Sequence, residues 1–469
     1  MNIRHFPKPL QLITLGVLLA VWLLPNSAEA HVKWFANFNF ADPPLTLAQV
    51  ATPLFIGLAI LSIVVICGMV VLDTRLDHIN WYNQLNRWFT DRKHHSLTVM
   101  RIAIAATLLI AWSNNTLLTP ELALATAWVS WLQFVVAILL FFPRTTMLGG
   151  IGILLLYAIA ILEFGAFHML DYLHFVGIGI YLATATLENK QLRDLGLPAL
   201  YATIGFSLIW LGYEKLVYPS WTLYLLEQNP QLALGLPPEF FLYGAAFVEM
   251  SLGFLLIIGL LERPLAAIIT LVFFGTTLVF GKIEVIGHTP IHAALVVFLL
   301  SGADTLYRAP IELHKRLNWK VAFAGVNFVI ALVIFGLGYT VSAQAQFEQA
   351  SATAVTLEPF ELADSAEIPT ITTLEAIPDM GNGINLHIEI DNWAFTPDQL
   401  GSTTVPNEGH VHVYLNGTKT TRMYGDWVSL GDLAPGTYQV AVTLNGNDHR
   451  EFAVDGEVIS AETTFIVRP

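Results

Sequence analysis

The sequence predicts an all-α polytopic membrane bundle of about ten transmembrane helices, followed by a C-terminal antiparallel β-sandwich. Three observations predict it. Hydrophobic residues make up 55% of the 469 and charged residues only 12%, where a soluble domain carries about 25% charged residues. Apolar runs near the roughly 20 residues that a bilayer requires recur between residues 51 and 341. Beyond residue 383 they give way to short runs in which apolar and polar residues alternate.

The first 30 residues read as a signal peptide. Arg4 and Lys8 precede an apolar core from Leu10 to Leu24, and Ala28-Glu29-Ala30 forms a small-residue cleavage site. Cleavage makes His31 the first residue of a periplasmic segment, 31–50; an uncleaved anchor is the alternative. Spans are expected near 51–72, 99–118, 124–142, 147–168 and 172–187, a first group covering 51–187. A second group lies near 199–218, 239–261, 264–281 and 289–304, and a last helix near 321–341. With ten spans, thirteen Lys and Arg fall in the inside loops or helix ends and three in the outside segments before residue 342. That asymmetry places both termini in the periplasm of a bacterial inner membrane.

Residues 342–382, rich in Ala, Glu, Thr and Pro, read as an extended linker. Residues 383–469 read as a periplasmic, Ig-like β-sandwich. Its strands are marked by Leu386–Ile390, His410–Tyr414, Tyr438–Val442 and Thr464–Val467, and its turns by Asn416-Gly417, Pro435-Gly436 and Asn445-Gly446. Residues 342–469 hold 18 Asp and Glu against 4 Lys and Arg, whereas the membrane part holds 18 of each. The acidic exterior disfavours nucleic acid and suits cations. The single cysteine, Cys67, excludes a disulfide framework or a cysteine metal site. No phosphate loop, Ser-His-Asp order or zincin helix is present, so no standard hydrolase or NTP-driven pump is indicated.

Polar residues in the apolar part mark candidate sites. Glu249 lies about ten residues into its helix, near the midplane, where an ionised side chain costs about 2.5–3.5 kcal/mol and needs a partner. Lys215 and Lys282 are the candidate partners. Glu214 and Lys215 close one helix; His168, Asp171 and His174 straddle a turn; His288 and His292 are spaced i,i+4. Thr289-Pro290 reads as an N-cap and first helical position, which puts His288 just before the helix. His168, Asp171, His174, His288 and His292 form a candidate second metal cluster or are ordinary interfacial residues.

Helices within 199–304 resemble the DoxX family of four-helix membrane proteins. The likeness rests on Tyr213-Glu214-Lys215, on Phe247-Val248-Glu249 with Gly253, on Leu255 to Leu260 with Arg263, and on Gly287-His288. The resemblance implies a four-helix module and an association with membrane redox systems, including a thiosulfate:quinone oxidoreductase. Quinone is then a candidate cofactor.

The main metal candidates lie at the two ends of the mature chain. A cleaved N-terminal His31 offers an amine and an imidazole, a nitrogen set suited to copper. His410 and His412 stand at i,i+2 and so project from one face of a strand; His387 lies on another strand, and His449 follows the Asn445-Gly446 turn. The stretch 409–456 resembles a small β-domain of bacterial copper-associated proteins. Three functions follow: copper handling at the periplasmic face, a quinone-linked oxidoreductase subunit in which Glu249, Glu214 and Lys215 move protons, or a membrane anchor for a domain that docks a periplasmic protein.

Overall fold

The computed structural model describes residues 33, 38, 40, 42–76, 78–124, 126–302, 309–356, 358–362, 367–378, 383–396, 399, 403–431, 433 and 435–467, with backbone alone for 275–284, 351–356 and 418. The expected signal segment and His31 lie outside these residues. The chain divides into two compact units. One comprises residues 1–36 and Leu45–Tyr339; the other comprises Asn37–Pro44 and Thr340–Pro469.

The first unit is helical. Its principal helices are α1 Pro53–Leu76, α2 Asn80–Thr90, α3 Ser96–Ser113, α4 Ala127–Phe141, α5 Thr146–Phe164, α6 His174–Thr184, α7 Gly196–Val217, α8 Pro219–Gln228, α9 Pro238–Ile258 and α10 Glu262–Ser301. α11, Leu317–Thr356, continues into the second unit. Leu61 and Val64 of α1, Trp128 and Trp131 of α4, and Val333 and Ile334 of α11 are exposed. Such outward apolar faces belong against lipid. The chain is an integral membrane protein, and a bilayer is its environment.

The expected ten spans are not reached. Six helical stretches among the described residues are long and apolar enough to cross, or seven if one bent pair counts as a span. That pair, Ala166–Tyr172 with His174–Thr184, bends by 63° where one span over 172–187 was expected. α4, with 15 residues, is shorter than a bilayer requires. α2 is not a simple loop either: none of its residues is buried, Trp81 and Trp88 are exposed, and Arg92 lies 3.8 Å over the Trp88 ring. An aromatic, amphipathic helix of this kind suits the membrane–water interface. Without ten crossings, the charge asymmetry no longer fixes the side of either terminus.

α10 is helical throughout Glu262–Ser301, yet it cannot be straight. Arg263 donates from Nε to the carbonyl of Leu299 at 2.8 Å, and Phe273 stacks on His288 with centroids 4.3 Å apart. A straight helix would separate residues 263 and 299 by about 54 Å. The segment therefore reverses between Phe274 and Val285, and its two arms replace the two separate helices expected. Thr289 is not an N-cap: it lies inside the second arm, its hydroxyl bonded to the Val285 carbonyl, with Pro290 also inside. Membrane helices tolerate such a proline because neighbouring groups satisfy the freed carbonyl.

The packing of α7 against α9 rests on small residues. A Cβ at Gly205 would lie 2.5 Å from the Gly253 carbonyl oxygen, and one at Gly253 would lie 2.5 Å from the Gly205 oxygen. Backbones this close gain dispersion that lipid cannot supply.

The second unit holds the strands β1 Phe360–Glu361, β2 Thr370–Pro378, β3 Ile384–Asp391, β4 Ala394–Phe395, β5 Glu408–Leu415, β6 Thr418–Met423, β7 Trp427–Leu430, β8 Gly436–Asn445, β9 Phe452–Val454, β10 Glu457–Val458 and β11 Ser460–Val467. One sheet runs β11-β8-β5-β4 with β6 also on β5, another runs β2-β3-β7, and β1-β9-β10 form a third. Pairing is antiparallel except for β1 with β9 and β4 with β5. Leu386 and Ile388 of one sheet share a core with Val411, Val413, Val440 and Val442 of another. The expected linker over 342–382 instead contains regular structure: α11 runs to Thr356, and Thr370–Pro378 is strand β2 of a sheet.

Candidate functional site

Two arrangements of polar side chains stand out, one in each unit. In the helical unit, Gly165 ends α5 with φ at 86°, a value that favours glycine. The turn that follows carries His168, Asp171 and Tyr172 into the interior, where all three are buried. Lys33 meets them from the N-terminal segment. Its Nζ lies 2.5 Å from Asp171 Oδ2 and 2.6 Å from Glu214 Oε2, with all three side chains shielded from solvent. Beside this triad, His168 Nε2 is 2.6 Å from Glu121 Oε1, and the Tyr172 hydroxyl donates to Glu121 Oε2. Gln133, fully buried, holds the loop that presents Glu121: it accepts from Leu118 N at 2.9 Å and donates to the Thr116 carbonyl at 2.9 Å.

Glu249 has the partner its depth requires. Lys215 Nζ donates to Glu249 Oε2 at 2.8 Å across the α7–α9 contact. This pair, together with Asp171, His174, Glu214 and His288, lines a cavity of about 230 Å³ whose other walls are mainly leucine, isoleucine, valine and phenylalanine. Asp171 Oδ1, His174 Nε2, Ser207 Oγ and Thr222 Oγ1, all from lining residues, are buried without a hydrogen-bond partner among the described residues. His292 is not among the lining residues and packs on the Phe274 ring, 5.0 Å between centroids.

Residues 200–282 match the DoxX family. The matched stretch takes in α7, α8, α9 and the first arm of α10, and with them Glu214, Lys215 and Glu249. The matched stretch thus supplies most of the residues that line the cavity; Asp171, His174 and His288 come from outside it. The match does not extend into the strand unit. No curated protein and no solved structure matches the chain.

In the strand unit, the two-residue spacing turns His410 and His412 to the face of β5 opposite Val411 and Val413, and both are buried. β8 pairs Asn445 with His410, and the turn after β8 returns His449 to them with φ at 70°. Asn445 Nδ2 fixes that turn by donating to the His449 carbonyl at 3.2 Å. His410 Nε2 lies 2.9 Å from His412 Nε2 and 3.2 Å from His449 Nδ1. The three ligand nitrogens lie within 4.8 Å of one another, and this is the one convergent group of three metal-ligating side chains among the described residues.

The other proposed ligands do not join it. His387 belongs to the β2-β3-β7 sheet and stacks on Trp427 with centroids 4.1 Å apart. His168, Asp171, His174, His288 and His292 do not converge into such a group. Neither Lys33 nor Glu121 was singled out by sequence. Their only signal is that charged residues are scarce in this half of the chain.

The three imidazoles are held neutral. Burial, reinforced by Arg422, His449 and Lys419, pushes His410 well below the usual imidazole range. Burial with Lys419 and His410 does the same to His412. Burial, with Arg422 and Lys419, takes His449 to about 3, and burial, with Arg422, takes Lys419 to about 7. Neutral rings keep the lone pairs a metal requires. Metal–nitrogen bonds of about 2.0–2.1 Å put adjacent ligand nitrogens about 2.9–3.4 Å apart. The separations of 2.9 and 3.2 Å between these rings fit that requirement.

Two outcomes follow. Lys33→Met leaves two buried carboxylates without their cation and should destabilise the helical unit by about 3–5 kcal/mol. Thermal unfolding in detergent should show a lowered midpoint, partly restored when Asp171→Asn is added. In the strand unit, the depressed histidines bind fewer protons folded than unfolded. Their contribution is intact above the unfolded value near 6.5 and is lost as pH falls toward the folded values, by about 1.4 kcal/mol per pH unit for each histidine. Lys419 carries the same sign between about 7 and its ordinary 10.5. Hydrogen-exchange protection of β5 and β8, corrected for intrinsic rates, should therefore fall between pH 7 and pH 5; equal protection would contradict the assignment.

Proposed function

We propose that this integral membrane protein handles copper, binding the ion through His410, His412 and His449 of its strand unit. The convergence of three neutral imidazoles carries this reading. Three nitrogens with an open fourth position suit Cu(II) or Zn(II), and tetragonal nitrogen sets favour copper. The acidic composition of residues 342–469 would help gather cations. In this reading the protein lies in a bacterial inner membrane. The signal segment 1–30 is removed, His31 begins the mature chain as a further copper ligand, and both termini face the periplasm. The A-x-A site, Ala28-Glu29-Ala30, supports the cleavage and with it a periplasmic His31.

Metal analysis of the purified protein after growth with copper tests the reading. About one copper per chain is expected. Alanine at His410, His412 or His449 should weaken binding by at least about 10–100-fold, the range for outer-shell partners alone. His387→Ala should leave it unchanged. A triple variant that retains the wild-type metal content would remove the site from consideration.

The cavity favours a second reading, in which the DoxX region serves a quinone-linked oxidoreductase. An apolar chamber with a few convergent polar groups suits a membrane-soluble ring compound. Lys215 and Glu249, with Glu214, would carry its protons. Native mass spectrometry should then show a bound quinone that is lost in a Leu208→Trp variant filling the chamber; an unchanged lipid-extract profile would count against it.

A further inference from the structure

We propose that the three-histidine site takes its metal together with a planar oxyanion, bicarbonate or a carboxylate, seated on the guanidinium of Arg422. This rests on the metal reading above and adds the second component of the site.

β6 runs antiparallel beside β5, and its register sets Arg422 directly opposite His412. Residues so paired project from the same face of a sheet. The Arg422 side chain is 2% exposed, and none of Nε, Nη1 and Nη2 has a hydrogen-bond partner among the described residues. Asp42 Oδ1 stands 3.6 Å from Nη1, an ion pair too long for a hydrogen bond, and the Asp42 side chain is 26% exposed. The Tyr424 phenol interacts with the guanidinium from the side, but no guanidinium nitrogen reaches it in hydrogen-bond geometry. A guanidinium cannot shed its proton, so a buried one whose donors make no well-formed hydrogen bond is costly unless a closer acceptor completes it.

Metal binding makes the imbalance worse. Lys419 Nζ lies 3.1 Å from His412 Nε2, so a dication between the imidazoles arrives beside an amine and a guanidinium. The three histidines bring no negative charge. An anion shared between metal and Arg422 removes both difficulties: one oxygen fills the coordination position that three protein ligands leave open, and the others accept from the fork. The planar fork selects a planar oxyanion over a spherical halide.

The test uses the full-length protein in detergent, stripped of metal and titrated with Cu(II) in bicarbonate-free perchlorate buffer, then with bicarbonate, acetate or chloride added. Affinity is read by calorimetry and the copper environment by electron paramagnetic resonance. Bicarbonate or acetate should raise affinity by about 5- to 150-fold, the usual range of coupling between two ligands, and alter the spectrum. A stronger effect of bicarbonate assigns a free ion, and a stronger effect of acetate assigns a side-chain carboxylate of a partner. Arg422→Met should bind copper without the anion gain. Arg422→Lys, which keeps charge but loses the fork, covers the case in which Arg422→Met does not fold and should also lose the gain. Copper binding indifferent to anions, or enhanced equally by chloride, overturns the proposal and leaves the metal reading standing. No copper binding under any condition overturns both.

Discussion

The ammonium of Lys33 between Asp171 and Glu214 is the interaction on which the helical unit turns. Two carboxylates held this deep repel each other and lose their hydration, so their shared site forms around a cation or not at all. Lys33 supplies that cation from the chain itself. It thereby ties the N-terminal segment to the turn after α5 and to the end of α7, elements separated by well over a hundred residues. Phe167 and Trp221 lie beneath the ammonium at 5.9 and 5.8 Å, so the charge is walled by aromatic faces. The Glu121–His168 pair and the Lys215–Glu249 pair extend the same logic to either side. In these three arrangements carboxylates in the apolar interior are answered by a basic side chain, and Asp171, Glu214, Lys215 and Glu249 from them line the cavity.

The strand unit follows a different rule. Its polar face gathers three imidazoles, an amine and a guanidinium, with carboxylates, Asp42 and Glu451, only at its partly exposed margin. The core on the other face of β5 is conventional, built from Val411 and Val413 against Val440 and Val442. One sheet thus packs apolar side chains on one face and concentrates electron-pair donors on the other. Period-two alternation along β5 is sufficient to separate the two.

That alternation is also why the strands were legible. Leu386–Ile390, His410–Tyr414, Tyr438–Val442 and Thr464–Val467 all lie in strands. The i,i+2 histidines fell on one face for the same reason. Which sheet each strand joins depends on pairing between distant residues, so His387 looked like a partner of His410 and is not. In the helical unit, hydropathy located nearly every helix but could not measure them. An apolar run reads alike whether it crosses in one piece, bends after seven residues as at Leu173, or turns back on itself as in α10. Thr289-Pro290 has the local form of a helix start, and only the carbonyl of Val285 shows that the helix was already under way. Lys33 was invisible because nothing near it in sequence marks the acids that it meets.

Two arginines give the helical unit a property of another kind. Arg101, near the start of α3, donates to the carbonyls of Leu140 and Phe141 at the end of α4, and Arg263 does the same for Leu299 and Leu300 at the end of α10. Arg101 closes the negative end of a neighbouring helix, and Arg263 that of the second arm of its own helix. Basic residues at helix ends are also what the insertion machinery weighs when it orients a membrane protein. Arg101 and Arg263 are basic residues of that kind, and each also seals a helix end in the finished bundle. A lysine in place of either keeps the positive charge but cannot span two carbonyls with one planar group, so the seal depends on the guanidinium and not on the charge alone.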